Sequence, residues 1–491
     1  MRLPTVSGVA APDVWTLIIS FTAVTALFFH FFRIDVLPMG FYVDESSIGY
    51  NAHLISLTGA DEHGARWPLF FKAFGEYKNP IYIYALAALY KILGYSEWTT
   101  RSLSAFCWAM GTFCLYGLAR RLFDDSNTRL YVALSLAFTP WIFSLSRVSF
   151  ELIALYPLLA VHLLALHHGF DEHSTRWAAL AGMAVGLCIY AYSTFRLLTP
   201  LYGATALVCY SAPRYRRSQL AFAVGALICT VPYALYAISH LDALTGRFDM
   251  LTYVRDPALS FVAKGSLFVA KYTGYFSPSF LAVSGDANRR HHTGFGGELL
   301  ISTVILLCIA VPTFARDWRN PFRLYLILGL LFAPIPAALT RDHFHSLRAF
   351  SMVIFSVLLS AYGFRSLTPR LARAAVAVTG CCAILYLIHY FEIYPPKSAV
   401  AFENFGFKQT LDQAVHDTHG RIVLSSEGNQ PYINLRFFGS LAGYQVPLVV
   451  GSRSDALPGD IYITYAPNSV GESLYRIDVV QRTAVSADRP N

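Results

Sequence analysis

Repeated apolar runs of about 17 to 25 residues constrain this chain more than any other feature, because runs of that length are needed to cross a bilayer as helices. We identify about eleven of them, at approximately residues 12–33, 98–122, 129–146, 151–168, 176–194, 197–212, 218–239, 298–315, 322–338, 346–364 and 372–392. Only 14% of the 491 residues are charged, whereas about 25% is usual in soluble domains. The chain is therefore predicted to be a polytopic helical membrane protein.

The loops between the predicted spans alternate in charge. Short basic connections that contain Arg follow every second span, and such loops stay on the cytoplasmic side. This pattern places the N-terminus in the cytoplasm and the C-terminal tail outside, with long outer loops at 34–97 and 240–297. The formal net charge of +8 is therefore attributed to loop bias, and no nucleic-acid partner is expected. The first run ends without a small-residue cleavage site, so we interpret it as a retained span.

One apolar run is excluded from the spans. Residues 80–94 form a run of about 15 residues, which is too short to cross comfortably. The run carries Tyr and Lys side chains typical of an interfacial helix. Counting it as a span would reverse the orientation of every later loop. We therefore assign it to the first outer loop.

The tail after the last predicted span is polar. An amphipathic stretch at 405–416 precedes short β-like runs at 421–425, 459–465 and 474–481. We therefore predict an all-α membrane domain over residues 1–395, with interfacial helices in its large first outer loop. A small extracytoplasmic α/β domain is predicted over residues 396–491. All eight Cys lie in apolar runs, so no disulfide framework is indicated.

Two adjacent carboxylates, Asp44 and Glu45, follow the first span and are the foremost candidates for a functional site. Charges are costly near lipid, so ionisable residues at a membrane boundary mark function by default. A carboxylate also serves as a general base when it is ionised and within reach of a hydroxyl group. The alternative interpretation is a hydrated loop pair, and Glu45 has only its adjacency to Asp44 in its favour.

Cations at the outer loops and outer span ends complement these carboxylates. A departing phosphate needs Lys or Arg to stabilise its developing charge, and a lipid-linked phosphate would lie at this depth. The candidate phosphate ligands are Lys78, Arg101, Arg196, Lys271, Arg289 and Arg348, and Glu151 is a further candidate carboxylate. The alternative for each cation is a solvated residue or an interfacial anchor.

Residues of metal-ligand type stand together at Asp61, Glu62 and His63. Their adjacency gives no defined ligand spacing, so we interpret them as a solvated turn. No metal ligand is predicted. The sequence leaves open whether the protein needs a divalent metal or any other cofactor.

Several stretches resemble integral membrane glycosyltransferases that use polyprenyl-phosphate sugars, including the protein O-mannosyltransferases and the bacterial lipid A aminoarabinose transferases. They are YVDESSIGYNAHLIS, KNPIYIYALAALYKILGYSEWTTRSLSAF, ARRLF, YFSPSFLAVSGDANRRHH and HSLRAF. The resemblance implies that Asp44 is the base and that Lys78 contacts the donor phosphate. It matches Arg101 to the Arg that heads the second span, and Glu151 to a second carboxylate. Asn79 and Pro80 stand where many relatives have two prolines.

The resemblance implies an inverting single displacement. The expected enzyme transfers a hexose or pentose from a polyprenyl-phosphate donor to a hydroxyl of a glycan, lipid or protein at the outer face of a bacterial inner (plasma) membrane. A lipid-linked sugar flippase or transporter is one alternative, although transporters place charges near the bilayer midplane and often show paired broken helices. A polysaccharide polymerase or ligase with a diphosphate-linked donor is another, and the sequence does not separate it.

Overall fold

Helices dominate the computed structural model, which describes residues 14–317, 319–417, 420–427, 429–444, 447–465 and 475–479. The helices are α1 (Val14–Phe31), α2 (Val43–Thr58), α3 (Pro80–Leu93), α4 (Glu97–Leu122), α5 (Ser126–Phe138), α6 (Pro140–Leu145), α7 (Leu155–Phe170), α8 (Thr175–Leu187), α9 (Phe195–Cys209), α10 (Arg216–Ser239), α11 (Leu241–Leu251), α12 (Phe261–Gly274), α13 (Ile301–Arg316), α14 (Pro321–Phe332), α15 (Ile335–Ala338), α16 (Ser351–Arg365), α17 (Pro369–Ile388), α18 (Pro395–Ala401), α19 (Phe407–Asp417) and α20 (Pro431–Ala442). The strands are β1 (Phe71–Ala73), β2 (Glu76–Lys78), β3 (Ile422–Ser425), β4 (Leu448–Gly451), β5 (Ile461–Tyr465) and β6 (Tyr475–Val479).

Six helical segments of the described chain are long and apolar enough to cross a membrane. They are Val14–Phe31, Glu97–Leu122, Glu151–Phe170, Pro213–Ser239, Pro321–Ala338 and Pro369–Ile393, and each overlaps a predicted span. Four further predicted spans coincide with the shorter apolar helices α8, α9, α13 and α16. The span predicted at 129–146 is divided between α5 and α6, because Pro140 has no N–H to continue the helix. The number of spans stays a prediction, and residues 12 and 13 of the first lie outside the described residues.

The core is centred on α16, whose residues from Ser351 to Phe364 are all buried. A helix that is apolar on every side is expected to be surrounded by others, and α5, α7, α13 and α14 pack around it. Gly363 allows the closest approach, since a Cβ atom there would lie 1.9 Å from the carbonyl oxygen of Leu306 on α13. Small residues of this kind let membrane helices pack backbone to backbone.

The first predicted outer loop is folded rather than irregular. The antiparallel hairpin of β1 and β2 pairs Phe71 with Lys78. It turns at Phe74 and Gly75, whose φ angles of 55° and 78° suit a tight two-residue turn. The apolar run at 80–94 is confirmed as a helix, α3, which packs against α2. Its position at a membrane interface stays a prediction.

Two buried arginines shape the connector between α1 and α2. Arg147 donates a hydrogen bond to the carbonyl oxygen of Phe32 at 2.7 Å, and Arg101 donates to that of Gly40 at 2.6 Å. Carbonyl groups at and beyond a helix C-terminus lack helical partners. The two arginines thereby satisfy carbonyl groups of the connector that precedes α2.

The C-terminal segment contains a four-stranded sheet in the order β4-β3-β5-β6, in which β3 is parallel to β4 and β5, and β6 is antiparallel to β5. The predicted amphipathic stretch and three β-like runs are confirmed as α19, β3, β5 and β6. Positions 474, 480 and 481 of the last run lie outside the described residues. Strand β4 and helix α20 were not predicted, and the domain boundary after residue 395 stays a prediction.

Helix α20 packs against the N-terminal half of α2. The Ser46 hydroxyl donates to Asn434 Oδ1 at 2.6 Å, and the rings of Phe41 and Phe437 stack with centroids 4.8 Å apart. Gly49 faces the same ring, since a Cβ atom there would lie 2.4 Å from Phe437 Cε2. The C-terminal segment therefore holds the helix that carries the two candidate carboxylates.

We expect Gly49→Ala to lower the free energy of unfolding by about 1–3 kcal/mol, because the added methyl group overpacks this contact. Thermal unfolding of the purified protein measures the change. Gly203→Ala is the matched control: its position in α9 has no described atom within 4 Å of an added Cβ. Alanine there is expected to be neutral or stabilising by up to about 1 kcal/mol. Equal losses at both positions would contradict the close α2–α20 packing.

Candidate active site

A cavity of about 580 Å³ brings five of the sequence-predicted site residues together. They are Asp44, Lys78, Glu151, Arg196 and Arg348. Other polar lining residues include Tyr42, Glu76, Asn79, Tyr192, Arg290, His291 and His345. An apolar wall is formed by Tyr233, Ala237, Phe248, Leu251, Pro336 and Leu339. The volume falls within the range of about 300–1,000 Å³ that is usual for ligand pockets.

An ion pair between Asp44 and Lys78 lies at this cavity. Lys78 Nζ donates to Asp44 Oδ1 at 2.6 Å, with side-chain exposures of 6% for the lysine and 31% for the aspartate. Burial alone would lower the pKa of Lys78, but the carboxylates of Asp44 and Glu151 outweigh it and raise that pKa above its ordinary value. Lys78 therefore stays protonated, and the carboxylate in the first turn of α2 occupies the helix end that favours negative charge.

Glu151 holds the residue that follows Lys78. Its two carboxylate oxygens accept hydrogen bonds from the backbone N–H and the Nδ2 of Asn79, each at 2.7 Å. Glu151 opens a short 3₁₀ helix ahead of α7. Two charge-assisted hydrogen bonds of this kind fix orientation as well as distance. Glu151 therefore anchors the chain between β2 and α3.

Two arginines line the cavity from separate elements. Arg196 lies in the first turn of α9, with its guanidinium 5.5 Å from the centroid of the Phe70 ring. Arg348 precedes α16 and is 9% exposed. Its Nη1 donates to Thr340 Oγ1 at 2.9 Å and pairs with Asp342. Planar guanidinium groups match the oxygens of a phosphate, so the cavity can receive one.

The structure places Glu45 and Arg101 away from the cavity. Both side chains are fully buried, and Arg101 donates through Nε and Nη2 to the two oxygens of Glu45 at 2.8 and 2.9 Å. Glu45 also accepts from the backbone N–H of Ser149 at 3.0 Å. Neither residue lines the cavity. Successive residues of a helix point about 100° apart, so adjacent Asp44 and Glu45 meet different surroundings.

Two other predicted phosphate ligands also lie away from the lining. Lys271 donates to the carbonyl oxygens of Arg341 and Asp342 at 3.0 and 2.6 Å. Its ammonium group therefore binds the backbone of the segment ahead of α16. Arg289 is exposed and borders a second, neighbouring cavity. The next residue, Arg290, lines the main cavity instead, with its guanidinium 4.1 Å from the ring centroid of Tyr42. Sequence position alone could not choose between neighbouring arginines of one loop.

The turn at Asp61–His63 is only partly solvated, because the Asp61 and Glu62 side chains are buried whereas His63 is exposed. Asp61 Oδ1 accepts from the backbone N–H groups of His63 and Ala65 at 2.9 and 2.8 Å. The Glu62 side chain is also buried, and it pairs with Arg436 at 3.1 Å. These carboxylates hold the local fold and contact the C-terminal segment.

A group of metal-ligand type does occur within the described chain, at Asp286, His291 and His345. Their potential ligand atoms all lie within 4.8 Å of one another, and the carboxylate and imidazole donors suit a divalent transition metal. Asp286 also accepts from the backbone N–H of Ser346 at 2.9 Å. More than fifty residues separate the two histidines in sequence, so spacing gave no signal for this group.

Comparisons with known proteins give a family match over part of the chain and a similar fold over most of it. The dolichyl-phosphate-mannose-protein mannosyltransferase family matches residues 77–236, from β2 into α10. The structure of ArnT from Cupriavidus metallidurans bound to undecaprenyl phosphate is similar at a TM-score of 0.62, with 13% identity over 91% of this chain and 87% of that chain. The apo structure of the same ArnT gives a TM-score of 0.59, with 14% identity over 89% and 86% of the two chains. No curated protein sequence gives a significant match. The resemblance described from the sequence is therefore confirmed.

Proposed function

We propose that this protein, a multi-pass membrane protein of the polyprenyl-phosphate-dependent glycosyltransferases, transfers a sugar from a polyprenyl-phosphate donor to a hydroxyl group of a glycan, lipid or protein. The reaction takes place at the outer face of a bacterial plasma membrane. Loop charge supports this orientation, because the short basic loops remain in the cytoplasm. The cavity and the C-terminal segment then face outward.

The observation that carries the proposal is one cavity in which a carboxylate, several cations and an apolar wall meet. The Asp44 carboxylate offers a base. Lys78, Arg196 and Arg348 offer positive charge for a phosphate. The apolar wall from α10, α11 and α15 suits the first part of a polyprenyl chain, since lipid-binding sites combine apolar walls with a few placed polar groups.

In the proposed reaction, Asp44 removes the proton of the acceptor hydroxyl while the oxygen attacks the anomeric carbon. The bond from that carbon to the phosphate oxygen breaks, and its electron pair leaves with the phosphate. Attack from the opposite side inverts the configuration at this carbon. Lys78 and the two arginines neutralise the charge that develops on the phosphate. Glu151 acts as a positioning residue, since it holds Asn79 beside Lys78.

Arg348→Gln is expected to raise the KM for the lipid donor by about 10- to 150-fold, which corresponds to losing one charged hydrogen bond of about 1.5–3 kcal/mol. Initial rates at varied donor concentration measure it. Arg289→Gln removes the same charge at a position that does not line the main cavity, and its KM is expected to stay within about twofold. Equal effects of the two substitutions would contradict the assignment of Arg348 to the donor phosphate.

Deletion of the gene in its host tests the proposed reaction in the cell. We expect one envelope glycan, glycolipid or glycoprotein to lose a single sugar, as detected by mass spectrometry. The wild-type gene should restore that sugar, and a gene carrying Asp44→Asn should not. An envelope with every glycan intact in the deletion strain would contradict the proposal.

A further inference from the structure

Asn79 lines the cavity and carries a buried acceptor atom that the reaction described above does not use. The residue is 1% exposed. Its backbone N–H and Nδ2 both donate to Glu151 at 2.7 Å. Its Oδ1 has no hydrogen-bond partner among the described residues.

The carboxylate of Glu151 fixes which way the amide of Asn79 points. A carboxylate only accepts hydrogen bonds, so the NH₂ side of the amide must face it and the oxygen must face away. Exchange of the two amide atoms would bring two acceptors together. The place of Oδ1 is therefore set by the protein before any ligand binds.

A buried carbonyl oxygen normally has a partner, and only an O–H or N–H group can supply one. The preceding residue, Lys78, donates to Asp44. An ionised phosphate has no hydrogen to give and would be repelled by Oδ1. Of the reactants in the proposed transfer, the sugar and the acceptor are the ones that carry hydroxyl or amino groups.

We propose that Asn79 Oδ1 accepts a hydrogen bond from a hydroxyl or amino group of the bound substrate and thereby selects for substrates that carry that group. This specificity role rests on the proposed function. The group belongs to the transferred sugar or to the acceptor, and both sources share one chemistry. A neutral amide suits this task because it discriminates by hydrogen bonding without adding charge beside Asp44 and Lys78.

The test compares substrates that differ by one hydroxyl in the wild-type protein and in Asn79→Ala. The probes are polyprenyl-phosphate mannose, glucose and galactose with their monodeoxy counterparts, followed by monodeoxy forms of the acceptor identified from the deletion strain. We expect the wild-type kcat/KM to fall about tenfold for one deoxy position, as is usual for one lost hydrogen bond. In Asn79→Ala, the ratio of kcat/KM for the complete substrate to kcat/KM for the deoxy substrate should shrink to about one. A ratio that changes in the donor series assigns the group to the sugar, and one that changes in the acceptor series assigns it to the acceptor.

Two further variants separate this role from a general loss of structure. Asn79→Ser keeps a side-chain donor for Glu151 but lacks the carbonyl oxygen, so it should lose the discrimination as Asn79→Ala does. Asn434→Ala removes another buried asparagine, which lies on α20 outside the cavity lining. It should lower stability and leave the wild-type ratio in place, because no substrate contact is lost.

The outcomes distinguish this role from the reaction it depends on. Transfer by Asn79→Ala with every deoxy ratio equal to wild type would overturn the role of Asn79 and leave the glycosyltransferase proposal standing. Absence of transfer by the wild-type protein from every polyprenyl-phosphate sugar would overturn the proposed function itself, and the role of Asn79 with it.

Discussion

Asp44→Asn is expected to lower the rate of sugar transfer by about 10²- to 10⁴-fold, because an amide cannot take the proton of the acceptor hydroxyl. The fold should survive, since the Asp44 side chain is 31% exposed and its neutral replacement has the same shape. Initial rates at saturating donor concentration measure the loss. The unfolding temperature of the same preparation shows that the protein is intact.

Glu76→Gln is the matched control for Asp44→Asn, because Glu76 lines the same cavity and carries the same charge. Its rate is expected to stay within about tenfold of wild type, as for a charge that takes no proton in the reaction. Comparable losses of rate from both substitutions would indicate that the total negative charge of the cavity, rather than proton removal by Asp44, determines the rate. An Asp44→Asn protein that transfers sugar at the wild-type rate would show that Asp44 is not the base.

Glu45→Gln is expected to lower the free energy of unfolding by about 3–5 kcal/mol, because it leaves the buried guanidinium of Arg101 without a compensating charge. Both side chains are fully buried, so water cannot replace the lost partner. Chemical denaturation of the protein in detergent measures the change. Expression of folded protein should fall with it, since a loss of this size is a large fraction of total stability.

A double-mutant cycle separates the ion pair from other effects of the two side chains. Arg101→Met combined with Glu45→Gln should cost less than the sum of the single changes, with a coupling of about 0.5–3 kcal/mol. Arg101→Lys should also destabilise the protein, because lysine cannot reproduce the two parallel hydrogen bonds. A fully stable Arg101→Lys protein with a raised KM for the donor would indicate that Arg101 binds the donor phosphate.

Hydropathy predicted much of the membrane part from the sequence, because spanning a bilayer imposes a length on every apolar run. Each of the predicted runs coincides with helix in the described chain. The run at 129–146 shows the limit, since Pro140 divides it between α5 and α6. Within the first outer loop, the position of helix α2 was not predicted, because its polar residues face protein partners that are distant in sequence, such as Asn434.

Candidate site residues could be chosen from the sequence where one residue type points directly to one chemistry. Asp44 and Lys78 were both candidates, and the structure joins them at 2.6 Å. Glu45 and Arg101 are an acid and a base as well, but the structure buries them as an ion pair away from the cavity lining. Which cation faces the cavity depends on the orientation of each helix and loop. A single sequence carries no record of that orientation.

The proposed role of Asn79 could not be assigned in advance from the sequence. Asn79 directly follows the hairpin of β1 and β2. Its turn contains Phe74 at positive φ, a conformation that is uncommon for a residue with a Cβ atom. The partner of Asn79, Glu151, is 72 residues further along the chain. The proposed role depends on that long-range contact and on Asn79 Oδ1, which has no partner among the described residues once the amide donates to Glu151.

The most direct test of the account is transfer by the purified protein in proteoliposomes that contain a polyprenyl-phosphate sugar and an acceptor supplied from outside. Mass spectrometry follows both lipid and acceptor. We predict that each sugar gained by the acceptor releases one polyprenyl monophosphate, and that Asp44→Asn releases none. Movement of the intact lipid-linked sugar across the bilayer without release of polyprenyl monophosphate would contradict the account in favour of a flippase. Transfer that releases polyprenyl diphosphate would contradict it in favour of a polymerase or ligase.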